Sequence, residues 1–164
     1  MEPVHLHLLT NHVPVIGAFF GALVLIIGMS RKSPPTLAAA YLIFLLSAVL
    51  GLVAYFSGEG AEHAVENLPG VTHELVETHE DIGKFTLIGL ILLGLISLFG
   101  LFRSKNHYDK IKSIAMVSLV VALASFGVGA YTAYTGGLIR HTEIRSGAAA
   151  TAQPAVEETE TDND

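Results

Sequence analysis

The sequence predicts an all-α integral membrane protein, a bundle of four transmembrane helices. Three observations predict it. Half of the 164 residues are hydrophobic and only 15% are charged, which is too apolar for an ordinary soluble domain. The mean hydropathy is +0.56. Four runs without interior charge, Val13–Met29, Leu37–Phe56, Phe85–Phe102 and Ile114–Tyr134, approach or exceed the ~17–20 residues a helix needs to cross a bilayer. Transmembrane β-barrels show alternating segments of about ten residues instead.

Residues 1–12 read as a short outer segment. Thr10 or Asn11 can cap the first helix, and Pro14 is tolerated in its opening turn. The membrane domain spans 13–145, with crossings at about 13–29, 37–56, 82–102 and 112–135. Arg31-Lys32-Ser33-Pro34-Pro35 forms a basic turn after the first crossing. The second helix is expected to stop near Ser57-Gly58. Residues 57–81 then form an outer cap with three histidines and seven carboxylates but no Lys or Arg. Within it, Leu68-Pro69-Gly70 separates two short helical pieces, the second running from about Thr72 into helix three. Arg103–Lys112 is a second basic turn, and helix four is expected to end at Gly136-Gly137. The acidic tail 146–164 has too little apolar content to fold and reads as disordered.

The two turns at one end carry Arg31, Lys32, Arg103, Lys105, Lys110 and Lys112 against one acid, Asp109. By the cation bias of short loops that end is cytoplasmic, so both termini and the His-rich cap face outward. Val13–Met29 lacks the basic flank of a signal peptide and reads as a retained span. The net charge of −6 is concentrated in the tail, and no basic surface suggests nucleic acid. With no cysteine, disulfides, thiolate metal sites and covalent haem attachment are excluded. No phosphate loop and no Ser-His-Asp or Cys-His arrangement appears.

An internal repeat organises the histidines. Ala54-Tyr55-Phe56-Ser57-Gly58 precedes His63 by five residues from its glycine, and Ala133-Tyr134-Thr135-Gly136 precedes His141 by the same distance. With one gap, Asn11-His12 through Ile16-Gly17-Ala18-Phe19 resembles Thr78-His79 through Ile82-Gly83-Lys84-Phe85. The chain thus reads as two tandem helical hairpins related by a pseudo-two-fold along the membrane normal. His12 pairs with His79 and His63 with His141, giving a collar of four histidines at the outer helix ends.

Three functions fit this collar. The first is bis-His ligation of haem b by His12, His63, His79 or His141 for electron transfer, with a quinol as candidate redox partner; it needs two facing imidazoles and no thiol. The second is a Cu, Zn or Fe ion held by the His/Glu cluster. Its candidate donors are His5, His7, Glu59, Glu62, His73, Glu77 and Glu80, which serve equally as orienting groups; Glu59/His63 and His73/Glu77 each share a helix face. The third is a non-catalytic accessory subunit or assembly factor of a respiratory or redox membrane complex. Each histidine also has a plain reading, since polar helix ends at a bilayer surface carry His simply to stay hydrated. His107, beside Tyr108 in a basic turn, reads as surface. Lys84 reads as a snorkelling side chain paired with Glu80 one turn back.

His5-Leu-His7, Asn11-His12-x-Pro14-x-x-Gly17, Leu68-Pro69-Gly70 with His79-Glu80, and Gly136-Gly137-x-Ile139-Arg140-His141-x-Glu143 together resemble a group of small bacterial membrane proteins with four spans. The similarity covers nearly the whole chain apart from the tail. It implies a multi-pass location in the bacterial inner membrane and one shared site for these residues. It implies no activity.

Overall fold

The computed structural model describes residues 2–65, 68–104 and 108–145, with the side chains of Lys110 and Thr142 excepted. The tail 146–164, the expected disorder of that tail, and His107 therefore lie outside the described residues. The fold is all-α, with no strand among the described residues. Its elements are α1 (Pro3–Thr10), α2 (Val13–Ser30), α3 (Pro34–Val65), α4 (His73–Arg103), α5 (Tyr108–Arg140) and a short 3-10 turn at Thr142–Ile144. Among the described residues four helices are long and apolar enough to cross a membrane, with α1 and α2 together making the first.

Three boundaries differ from the sequence expectation. The outer segment before residue 13 is itself helical from Pro3 to Thr10 and runs on into the first candidate span. α3 continues through Ser57-Gly58 to Val65, and α5 through Gly136-Gly137 to Arg140, so residues 57–65 of the expected cap are an extension of the second crossing. Glycine lowers helix propensity by only about 1 kcal/mol, and packing overrides it here. α1 and α2 are one helical path interrupted at Asn11-His12, where both residues keep right-handed helical backbone. Pro14 has no N–H to bond the Thr10 carbonyl, so the ladder breaks there. α4 begins as expected, with the Thr72 side chain accepting from Leu75 N–H at 3.4 Å.

The helices form a ring in which α2 packs on α3, α3 on α4, α4 on α5 and α5 on α2, while α1 lies on α3. The interior is built of small side chains, including Ala18, Ala22, Ala40, Ala48 and Ala122, plugged by Leu25, Phe44, Leu90 and Leu93. Large apolar residues face outward: Leu46 and Val120 are each 62% exposed and Phe85 67%. In lipid, apolar burial does not drive helix association, so small residues that let backbones approach become the contact surface.

The contacts reveal the repeat and correct its register. A constant shift of 72 residues carries His7 onto His79, Gly17 onto Gly89, Gly28 onto Gly100 and Arg31 onto Arg103. A shift of 78 carries Ser47 onto Ser125, Gly51 onto Gly129, Gly58 onto Gly136 and His63 onto His141. Neither needs a gap. The contacts follow: Gly17 faces Ser47 as Gly89 faces Ser125, and Gly51 faces Pro14 as Gly129 faces Thr86. His7, not His12, is therefore the counterpart of His79. Thr86 in place of Pro14 also explains why α4 runs unbroken where its counterpart is split.

Beyond α5 the chain folds back through one buried side chain. Arg145 donates from Nε to the Leu138 carbonyl at 2.7 Å, from one Nη to Ile139 at 2.8 Å and from the other to Gly70 at 2.5 Å. It caps the end of α5 and ties it to the α3–α4 turn, where Gly70 adopts φ 75. Arg145→Ala is expected to destabilise the protein by about 2–3 kcal/mol, since bonds from a charged donor are among the stronger ones. Limited proteolysis should then cut the α3–α4 turn first. Arg145→Lys should rescue only in part, because three carbonyls in divergent directions match a guanidinium fork and not an ammonium. Unchanged unfolding of Arg145→Ala would show that the latch contributes nothing.

Candidate functional site: two imidazole seats

The repeat places one imidazole on the flank of each second helix. His7 on α1 donates from Nδ1 to the Ala54 carbonyl of α3 at 2.8 Å. His79 on α4 donates from Nδ1 to the Thr132 carbonyl of α5 at 3.0 Å and lies 3.2 Å from the Thr135 hydroxyl. A carbonyl oxygen only accepts, so both rings carry their proton on Nδ1 and leave Nε2 for another partner. Among the described residues no protein group is hydrogen-bonded to either Nε2.

The seats are built alike. One turn beyond each carbonyl, a hydroxyl donates back to it: Ser57 to Ala54 at 3.1 Å and Thr135 to Thr132 at 2.9 Å. The next residue is a glycine against the ring. A Cβ on Gly136 would stand 2.9 Å from His79 Cε1, and one on Gly58 would stand 3.5 Å from His7 Cε1. Both rings are half-buried, and they are near enough to interact electrostatically.

The other expected residues are dispersed. His5, His12, His63, His73 and His141 are exposed, as are Glu59, Glu77 and Glu80, while Glu62 is half-buried. His12 bonds its neighbour Asn11, and His141 pairs with Glu143 at 2.8 Å. Among the described residues no group of three or more His, Asp or Glu side chains converges to hold a metal ion. The four-histidine collar thus does not form as one cluster. His12 was paired with His79 through Ile-Gly-x-Phe, a string whose glycine faces Ser47 in one repeat and Thr132 in the other. His7 stands in the short segment before the first long apolar run, where the sequence offers it as a candidate metal donor. The ten-residue spacing from His7 to Gly17, repeated from His79 to Gly89, is the signal that identifies it.

Lys84 pairs with Glu80 at 3.3 Å, as expected, and also with Asp81 at 3.0 Å. Glu143 is held below the usual carboxylate range, first by its own backbone N–H and then by His141. A depressed carboxyl contributes above the ordinary value of 4.5 and loses that contribution as pH falls through its lower, folded midpoint. A carbon-detected NMR titration should place the Glu143 midpoint below 4.5, and His141→Ala should raise it. A midpoint indifferent to His141→Ala would show that the pair does not form in solution.

Comparison with protein-family models, with curated proteins and with solved structures finds no significant match to this chain.

Proposed function

We propose that His7 and His79 would hold a haem b through Nε2 and that the protein transfers electrons at one face of a bacterial inner membrane. The observation that carries this reading is the pair of equivalent seats, each fixing an imidazole through Nδ1 and leaving Nε2 open. Ligating histidines are commonly held this way, because the carbonyl sets the ring's orientation and raises its basicity. The number of donors favours haem over a bare ion: a porphyrin brings four nitrogens, so one or two protein ligands suffice, whereas Zn or non-haem Fe takes three or four from the protein. The cation bias of the turns, with Arg31, Lys32, Arg103 and Lys112 at the opposite helix ends, puts the seats on the outer face.

The test is an optical spectrum of protein expressed with haem supplied and purified in detergent. A Soret band with sharp α and β peaks on reduction, at about one haem per chain, is the expected result. A colourless protein with stoichiometric Cu, Zn or Fe by elemental analysis would replace haem by an ion. A protein carrying neither would leave an accessory role in a membrane complex as the better reading.

A further inference from the structure

The two repeats pack alike but are not equally polar inside. Thr86, Ser97, Ser118 and Thr132 of the second repeat correspond to Pro14, Leu25, Ala40 and Ala54 of the first. The first repeat fills the corresponding positions with apolar side chains, so close packing alone does not require those hydroxyls.

Four interior hydroxyls have no hydrogen-bond partner among the described residues: Tyr41, Ser97, Ser118 and Ser125. The first three are 0% exposed and Ser125 is 4% exposed. Ser47, the counterpart of Ser125, shows the usual alternative by donating to the Ile43 carbonyl at 2.9 Å. A bundle in lipid has no bulk solvent to satisfy such groups, so they point to partners inside it.

Their placement is ordered. The Tyr41 ring lies over Gly100, within 2.6 Å of where a Cβ would stand, and Ser97 is one turn away on α4. Ser125 lies over Gly89. Because α4 and α5 run antiparallel, Ser118, two turns along α5 from Ser125, comes level with Ser97. Tyr41 and Ser118 are close enough to interact without closing a hydrogen bond. Three unpartnered hydroxyls from three helices thus meet at one depth. At the outer end the network is already closed: Thr86 and Thr132 share a hydrogen bond of 2.7 Å, and Thr135 sits beside His79. Between His79 and Ser97 the helix rises about 27 Å, close to the thickness of the hydrocarbon core.

We propose that this seam holds a file of water and conducts protons between the Tyr41–Ser97–Ser118 cluster and the hydroxyl of Thr135. Successive α5 hydroxyls at Ser118, Ser125 and Thr132 are about 10 Å apart along the axis; two or three waters bridge such a gap, and between Ser118 and Ser125 they enter as the Leu93 side chain that plugs the core swings aside. Each oxygen accepts a proton on a lone pair as it releases its own. One proton leaves the far end for each that enters, only O–H bonds change, and no electron moves. The proposal stands independently of haem.

The experiment is proton flux into proteoliposomes under an imposed pH gradient, with potassium and valinomycin balancing charge and an internal pH dye as readout. Wild-type protein is expected to collapse the gradient about tenfold faster than protein-free vesicles. The double variant Ser118→Ala, Ser125→Ala, which carries the side chain of Ala40 at the first position, should fall to the protein-free rate. Ser47→Ala should match wild type. Hydroxyl-radical footprinting provides a second readout, because a buried tyrosine is labelled only beside bound water; Tyr41 should be modified. Wild-type flux at the protein-free rate, with the protein monodisperse and helical, overturns the proposal. So does equal flux in the double variant, which sends the protons elsewhere. Labelled Tyr41 without flux means isolated buried water and also overturns it.

Discussion

Replacing His79 or His7 with alanine is expected to abolish haem retention, whereas replacing His12, His63 or His141 should leave the spectrum unchanged. Removing one Nε2 donor would leave a single seat to hold the haem, so retention, and with it the sharp reduced peaks, should be lost in either variant. His12, bonded to Asn11 and exposed, and His141, paired with Glu143, contribute no seat of this kind. Gly136→Val gives a finer result, because it retains both histidines and moves only one. Its Cβ would press on His79 at 2.9 Å from Cε1 and 3.2 Å from Nδ1, breaking the bond to Thr132 that orients the ring. Loss of an orienting partner lowers metal affinity by roughly ten- to a hundredfold. Retained haem binding with a shifted potential is the expected signature. Equal losses in His12→Ala and His7→Ala would refute the seat assignment even if haem is bound.

Gly21→Ala should cost about 2–3 kcal/mol, and Gly21→Leu should fail to give a stable bundle. A Cβ on Gly21 would stand 2.5 Å from Cε1 and 2.7 Å from Cδ1 of Phe44, which is 0% exposed and enclosed by the core. The ring has no free space to retreat into, so α2 and α3 must separate, and overpacking of this kind costs about 1–3 kcal/mol. Gly100→Ala should behave similarly against the Tyr41 ring, whose nearest atoms lie at 2.6 Å. Gly127→Ala is the matched control: nothing lies within 4 Å of its Cβ position, so the change should stay within about 0.5 kcal/mol. Unfolding in mixed micelles, followed by helical circular dichroism, measures all three. A Gly21→Ala variant as stable as Gly127→Ala would show that the α2–α3 contact is looser than described.

Sequence alone was enough for the parts that depend on composition along the chain. Four long uncharged runs require four spanning helices, because backbone groups in hydrocarbon must be satisfied within each segment. Thr72 at the start of α4 and the Lys84–Glu80 pair were legible for the same reason, since both are contacts within one helical turn. The repeat was visible too: the shift of 78 residues that superposes the contacts of Ser47 and Ser125 also carries His63 onto His141.

The tertiary structure decided what the repeat means. Gly17 and Gly83 look alike in sequence; only the partner across the helix contact, Ser47 for one and Thr132 for the other, separates them. That distinction moves the first imidazole from His12 to His7, and with it the proposed ligand. Continuation of α3 and α5 through their glycines was likewise set by packing: Gly58 and Gly136 lie inside helices because a ring rests on each. Helix ends read from a local string follow intrinsic propensity, which is worth about 1 kcal/mol per glycine. A contact with a ring from another helix outweighs it, and such a contact exists only once the helices have come together.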